Sequence, residues 1–283
     1  MIGHHVVAQL VGDGHDVVSA DRAHRRFDGA ETRVVDFRRR EDLYALLEGA
    51  DAVVHLANHP NSFSTDPQTL LSENLAINVN VCQAAADLGV GRIVFASSIQ
   101  TVSGVPPVPP EGAPVVLPWL PADGDTPARP GNIYGLSKML TEQMLAHYSR
   151  LHGLSAVAIR FPWVCGNPRH LRHFAGWETL DRHRVNELGA WLWVEDAARL
   201  VSAILKTELP GFRVYLPTGP LPASFGAINE IVRRHYAHVP RKHPDQPLKV
   251  LIDIGQITRE TGWTPCSIEE ITRRMQEPEK TRG

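Results

Sequence analysis

Apolar and polar residues alternate, from the first residue to about position 160, in blocks that predict strands and helices in turn. Short and almost wholly apolar runs indicate buried strands, whereas apolar residues that recur every three or four positions indicate helices. The strand-like runs are DVVSA (16–20), TRVVDF (32–37), DAVVHLA (51–57), GRIVFASS (91–98) and SAVAIRF (155–161). Because helical segments separate them, we predict an α/β fold with a doubly wound parallel sheet.

The helical segments are equally regular in this part of the chain. They cover the residues around Val6, Val7 and Leu10, REDLYALLEG (40–49), a segment from 70 that Gly89 ends, and a segment from Tyr134 to Gly153. After residue 165 the pattern loosens, with strand-like RVYLPTG (213–219) and a late helix at SIEEITRRM (267–275). We therefore predict a main domain over 1–165 and, over 166–283, mainly a small C-terminal lobe with some segments that return to the main sheet.

The opening stretch, MIGHHVVAQLVGDGHDVVSADR, has the pattern of a helix, a glycine turn and a strand that ends on Asp21. This is the second half of a dinucleotide-binding unit, whose first half is a strand and a glycine-rich loop that holds the phosphates. Since the given sequence opens on the helix, we expect the true start codon to lie upstream. A site without the first loop glycines would lose the close backbone approach to the pyrophosphate.

Composition narrows the range of partners. The 283 residues are 43% hydrophobic and carry a formal net charge of −2, which gives no basic excess to attract nucleic acid or an anionic membrane. No apolar run approaches the roughly 18 residues of a membrane span. The 3 cysteines lie far apart and the 14 histidines lack a third ligand at metal-binding spacing, so we predict reduced thiols, a cytoplasmic location and no metal site.

Tyr134 and Lys138, in YGLSK, are the sharpest candidates for chemistry. Their i, i+4 spacing places both side chains on one face of a helix. An ammonium beside a phenol favours the phenolate and lowers a pKa that is ordinarily near 10. A tyrosine tuned in this way can act as an acid or a base, although the same spacing also occurs on solvated helix faces.

Polar residues at the ends of two predicted strands are further candidate site residues beside Tyr134 and Lys138. Ser97 and Ser98 end the strand FASS, where a parallel sheet faces its ligand crevice, so a hydroxyl there can hold a substrate oxygen. Asp21 ends another strand, where a carboxylate can bind both ribose hydroxyls and repel a 2′-phosphate. This favours NAD over NADP, and Arg22 beside it softens the preference.

Together with EDAARLVSAIL and LIDIGQITRETGWTP, these motifs resemble the extended short-chain dehydrogenase/reductase family, in its NAD-dependent epimerase/dehydratase group, over nearly the whole chain. The resemblance implies a Rossmann-like dinucleotide-binding domain over 1–165, followed mainly by a substrate lobe. It also implies a bound NAD, a sugar or nucleotide-sugar substrate and a homodimer.

The resemblance further implies roles for single residues. Tyr134 would be the catalytic acid/base, Lys138 would hold the cofactor ribose and lower the tyrosine pKa, and Ser98, or its neighbour Ser97, would orient the substrate oxygen. The implied cofactor residues, besides Tyr134 and Lys138, are Gly3, Asp21, Arg22, Asp36, Phe37, Leu56, Ala57 and Asn74.

Departures from the family pattern bear on the reaction. SSIQT is closest to the SSNHT form of uronate dehydrogenase-like members, which favours Ser98 and a sugar dehydrogenase. Ile99 and Gln100 stand where dehydratases carry a carboxylate pair, which disfavours dehydration. Trp163, three residues after the arginine of AIRF, is either a pocket residue or a packing tryptophan.

As an alternative function, the chain would be a family member that binds a ligand or partner without catalysis, because the given sequence lacks the phosphate loop.

Overall fold

The computed structural model describes residues 1–103, 116–166, 185–220 and 228–276. Within them, the helices are α1 (Ile2–Gly12), α2 (Arg40–Leu47), α3 (Pro67–Asp87), α4 (Ile133–His152), α5 (Val194–Lys206), α6 (Ile228–His235), α7 (Gly255–Thr261) and α8 (Ile268–Gln276). The strands are β1 (Val18–Asp21), β2 (Glu31–Val34), β3 (Ala52–His55), β4 (Arg92–Ser98), β5 (Ser155–Phe161), β6 (Trp163–Cys165), β7 (Trp191–Trp193) and β8 (Phe212–Tyr215).

The strands pair in parallel, which confirms the predicted α/β fold with a parallel sheet. Four of them form one sheet in the order β3-β4-β5-β8. The other strands form two-stranded sheets, β1 with β2 and β6 with β7. Within the described ranges, β1 pairs with β2 and not with β3, so the parallel strands form three sheets rather than one continuous sheet.

Helices cover both faces of the four-stranded sheet because its central strands are apolar on both sides. In β4, Val94 packs in the cluster that contains residues of α1 and α5. Its neighbours Ile93 and Phe95 point the other way, into the cluster formed with α2, α3 and α4. All three side chains are at most 1% exposed. This alternation is what a doubly wound sheet requires of a buried strand.

Local signals set the ends of the two long helices. The Asp66 side chain accepts a hydrogen bond from the Thr69 amide (2.9 Å), with Pro67 at the first helical position of α3. After α3, Gly89 adopts a φ of +71°, as its predicted stop role requires. Asn132 caps α4 by accepting from the Gly135 amide (2.8 Å), so Tyr134 and Lys138 fall in the first two turns of that helix.

The sequence pattern was less accurate beyond these elements. β2 and β8 are shorter than the predicted TRVVDF and RVYLPTG strands, and the three-residue strands β6 and β7 were not predicted. Three apolar residues are too few to show a period of two. Residues 167–184 of the predicted lobe, and residues 104–115 before α4, lie outside the described residues, so the boundary at 165 stays a prediction. No described helix is both long and apolar enough to cross a membrane.

Candidate active site

A cavity of about 1850 Å³ lies between the β1–β2 ladder and the four-stranded sheet. Every residue of β1 and of β3 lines it, and so does the end of β4. The predicted site residues on its walls are Gly3, Asp21, Arg22, Asp36, Phe37, Leu56, Ala57, Ser98, Tyr134 and Lys138. The fold thus brings together residues that are more than a hundred positions apart in sequence.

The catalytic wall of this cavity, which we define as Ser98, Tyr134 and Lys138, is buried. The three residues are 7%, 9% and 3% exposed, and the Lys138 Nζ lies 5.5 Å from the centroid of the Tyr134 ring. Gly135 allows α4 to begin this close to Ser98. A Cβ added to it would lie 2.5 Å from the Gln100 carbonyl oxygen, so any larger residue would push the helix start away.

Burial has the largest effect on the pKa values of Tyr134 and Lys138. It raises the pKa of Tyr134 to about 12, while an interaction with the Ser98 hydroxyl acts in the opposite direction. The charge of Glu187, a buried residue on the same cavity, adds to the rise. Burial also lowers the pKa of Lys138 to about 7. The predicted lowering of the Tyr134 pKa is therefore not found, because loss of solvation outweighs the favourable interaction that sequence spacing suggests.

The two neighbouring serines point in different directions. Ser97 donates to Glu142 Oε1 at 2.6 Å, and the same carboxylate binds Arg160 through two hydrogen bonds of 3.0 and 2.8 Å. Ser98 instead accepts from the Gln100 amide at 3.2 Å and lies beside the Tyr134 phenol, on the cavity. Both serines border the cavity, but side chains alternate across a strand, so Ser97 turns its hydroxyl to Glu142 and Ser98 turns its own to the Tyr134 phenol.

Two asparagines differ from the sequence expectation. Asn74 does not line the cavity; it is fully buried, accepts from the His59 amide (2.8 Å) and donates to Ser137 Oγ (3.0 Å) behind the catalytic wall. Asn58, which the sequence analysis missed, accepts from Lys138 Nζ at 2.8 Å. Its only signal in the sequence is its position just after β3, at the carboxyl end of a strand.

The nucleotide wall, which we define as Asp21, Asp36 and Arg38, is open to solvent. The Asp21 carboxylate accepts from the Ala23 amide (3.1 Å) and from Arg25 Nε (3.2 Å). Two hydrogen bonds of 2.9 Å join Arg38 to Asp36, and they hold the pKa of the Asp36 carboxyl at about 2. Arg22 lies next to Asp21 on the same wall.

Between the two walls, the residues fit a dinucleotide. The amino end of α1, residues Met1–His4, lines the cavity, and helix amino ends favour phosphate groups. A Cβ on Gly3 would lie 3.5 Å from Leu56 Cδ1, an ordinary contact, so this position tolerates glycine without requiring it. Among the described residues, no three His, Cys, Asp or Glu side chains lie close enough together to hold a metal ion.

A parallel sheet beside a cavity that carries a Tyr/Lys pair on one wall and a strand-end aspartate on the other is typical of nucleotide-dependent enzymes of the Rossmann class. The sequence model of the NAD dependent epimerase/dehydratase family matches residues 1–215, and the chain belongs to this family of enzymes.

Named relatives place the chain near sugar-metabolising enzymes. It is 31% identical to an L-arabinose 1-dehydrogenase (NAD(P)(+)) of Haloferax volcanii, over 56% of this chain and 62% of that protein. It is 27% identical to a uronate dehydrogenase of Pseudomonas syringae pv. tomato, over 54% of this chain and 51% of that protein. The chain thus spans about half to three fifths of the length of these relatives.

Solved structures agree on the fold. A UDP-galactose 4-epimerase superimposes with a TM-score of 0.63 at 27% identity, covering 94% of this chain and 90% of that one. A uronate dehydrogenase variant from Agrobacterium tumefaciens complexed with NAD superimposes with a TM-score of 0.64 at 20% identity, covering 97% and 84%. At this identity the second likeness shows the fold alone.

Proposed function

We propose that the chain is an NAD-dependent oxidoreductase that oxidises a sugar hydroxyl, with Tyr134 as the acid/base. The observation that carries the proposal is the single cavity whose walls hold Ser98, Tyr134 and Lys138 at one end and Asp21 at the other. Proton transfer, substrate orientation and ribose binding are the tasks that such an enzyme divides among these residue types.

Each residue of the catalytic wall has a separate task. NAD, when bound, supplies the hydride acceptor. Ser98 holds the substrate oxygen beside the phenol, and Tyr134 takes the hydroxyl proton during oxidation. As the phenolate, Tyr134 accepts this proton and becomes a neutral phenol. Lys138 contributes a positive charge that stabilises the phenolate before the transfer, and it keeps a further donor for the cofactor ribose. Asn74 supports this wall from behind, through Ser137 on α4.

Cofactor choice follows from the nucleotide wall. Asp21 lies where a carboxylate binds the adenosine ribose and repels a 2′-phosphate, which supports NAD over NADP. Arg25 and Arg22 reduce this repulsion, so NADP still binds, although more weakly than NAD. Asp36 and Phe37 flank the adenine in this proposal, while Gly3, Leu56 and Ala57 line the path of the phosphates and ribose.

Names of the relatives guide the substrate. An arabinose dehydrogenase and a uronate dehydrogenase are among them, so we propose a free sugar or uronate ahead of a nucleotide-sugar. Oxidation is proposed ahead of epimerisation, and dehydration is disfavoured by Ile99 and Gln100. A homodimer and a cytoplasmic location stay predictions.

The test is NADH formation by the purified chain with L-arabinose, D-galacturonate and UDP-glucose. Ser98→Ala should reduce turnover at least tenfold with the fold kept, because it removes the hydroxyl that faces the cavity. Ser97→Ala is the matched control: it should lower stability through Glu142 and leave the pH profile of turnover unchanged. Saturable NAD binding without turnover of any sugar would favour the binding-protein alternative.

A further inference from the structure

Two acceptors from outside its own helix hold the Lys138 ammonium. Nζ donates to Asn58 Oδ1 and to the Ala96 main-chain oxygen, each at 2.8 Å. Ala96 belongs to β4, whereas Asn58 lies between β3 and α3, so these contacts fix Nζ across three separate parts of the fold. A lysine has three N–H donors, and among the described residues these two contacts leave one for a ligand in the cavity.

The Asn58 amide is locked in one orientation. Its Nδ2 donates to the Ala57 carbonyl at 2.7 Å and to Asn78 Oδ1 at 2.8 Å, which leaves only the oxygen for Lys138. A flipped amide would place its NH2 group against the ammonium and bring its oxygen against Asn78 Oδ1. Both contacts would then join two donors or two acceptors, so the flip is strongly disfavoured.

Asn78 is fixed in turn. Its Oδ1 also accepts from His55 Nε2 at 2.7 Å, and its Nδ2 donates to Thr141 Oγ1 at 2.6 Å. Burial lowers the pKa of His55 to about 4, so the imidazole is neutral and carries its proton on Nε2, the atom that donates. Each hydrogen bond from His55 through Asn78 to Asn58 therefore joins a donor to an acceptor.

We propose that Asn58 is the positioning residue of Lys138, fixing the ammonium beside Tyr134 with a neutral acceptor so that no carboxylate offsets its charge toward the phenol and the cofactor. Asn58 works through Lys138 and touches no reacting atom. The inference rests on the proposed function for its catalytic meaning, while the positioning itself is a property of the folded chain.

A neutral acceptor matters because few charges surround Lys138. In the described parts of the chain, the titratable groups that face it are Tyr134, on its own helix α4, and His55, on β3. The charge of Lys138 helps to lower the pKa of His55. From β4 it meets the Phe95 ring, 4.7 Å from Nζ, and the Ala96 carbonyl. The amide side chains of Asn58 and Asn78 bear no charge. A carboxylate at position 58 would be an anion in direct contact with the ammonium.

The test titrates Lys138 directly. Nuclear magnetic resonance of the full chain with isotope-labelled lysine follows each amine, and Lys138→Met assigns the signal. Asn58→Asp should raise the pKa of Lys138 by about 1 or more. Asn58→Leu, similar in shape, should lower it and reduce kcat/KM about tenfold by freeing the ammonium. Asn61→Asp is the matched control, since it adds the same charge to the same segment, where Asn61 caps its own turn.

The proposal is overturned if Asn58→Asp leaves the Lys138 pKa unchanged, or if Asn61→Asp moves it as much. In kinetics, Asn58→Asp should shift the pH profile of kcat/KM toward higher pH and Asn61→Asp should not. The resonance titration needs no substrate, so it separates the two proposals. A shifted Lys138 pKa with no sugar turnover in any variant would contradict the proposed function and leave the positioning role intact.

Discussion

The two walls of the cavity are built in opposite ways. On the catalytic wall, Tyr134 and Lys138 are less than a tenth exposed, and Lys138 is bonded to partners 42 and 80 positions away in sequence. On the nucleotide wall, the Asp21 side chain is 41% exposed, and its partner Arg25, four positions away, is 61% exposed. The first wall is held by long-range buried contacts. The second is held by exposed contacts that are local apart from the pair of Arg38 with Glu73, 35 positions away.

This difference separates two properties of the site. Buried hydrogen bonds between distant elements give a fixed geometry, which proton transfer requires. Exposed ion pairs are screened by water and salt, so they adapt to a ligand and contribute little stability. The structure therefore predicts a preformed catalytic wall and a nucleotide wall whose selectivity depends on ionic strength.

The largest effect should come from the buried ion pair that supports Ser97. Glu142→Ala leaves Arg160 buried without its carboxylate, and we expect the free energy of unfolding to fall by about 3–5 kcal/mol. The control is Glu31→Ala, which removes the exposed partner of Arg33 on β2 and should not change stability measurably. Urea unfolding of both variants measures the difference. Equal losses would contradict the claim that the buried pair behind the catalytic wall stabilises the fold more than the exposed pair does.

A smaller loss of folding stability should appear when the pH is lowered. His55 binds a proton below pH 6.5 in the unfolded chain but only below about 4 in the folded one. The unfolded state therefore binds more protons in this window, and stability falls by about 3 kcal/mol as the pH drops from 6.5 through 4. His55→Gln, which keeps a donor for Asn78, should flatten this slope.

The same measurement of stability against pH also tests the nucleotide wall. Arg38 stabilises the ionised Asp36, so that contribution is present above pH 3.8 and is lost as the pH falls through about 2. Asp36→Asn should consequently leave the slope between pH 6.5 and 4 as it is in the parent chain. An equal change of slope in both variants would contradict the assignment of this window to His55.

The smallest effect should be on cofactor choice. Asp21→Asn removes the charge that repels a 2′-phosphate, and we expect the ratio of NAD to NADP affinity to fall by no more than about fivefold, because the site is exposed. Arg25→Ala, which leaves Asp21 unpaired, should raise the ratio. Calorimetry at low and high salt checks both. A ratio that does not respond to salt would mean that the wall is less exposed than described.

The catalytic pair was predictable from sequence because its geometry is local. A tyrosine and a lysine four positions apart share a helix face, and Asn132 and Gly153 mark the ends of that helix. The parallel sheet followed equally well from the apolar runs. The end of α3 was also predictable, because Gly89 adopts a φ of +71° and this left-handed conformation favours glycine.

The remaining features depend on contacts between distant segments. Which of the two serine hydroxyls turns to Tyr134 depends on Glu142, which is held by Arg160 and binds Ser97. The Asn58 contact to Lys138 spans 80 positions, and no local pattern indicates it. The pKa of Tyr134 rises because of burial, which the i, i+4 spacing does not report.

The most direct test of the account is Tyr134→Phe, measured for turnover and for cofactor binding in the same preparation. The phenylalanine keeps the ring, so NAD affinity should stay within about twofold of the parent chain while kcat falls by about 10²–10⁴-fold. Turnover unchanged by this substitution would contradict the assignment of Tyr134 as the acid/base and, with it, the central claim about the catalytic wall.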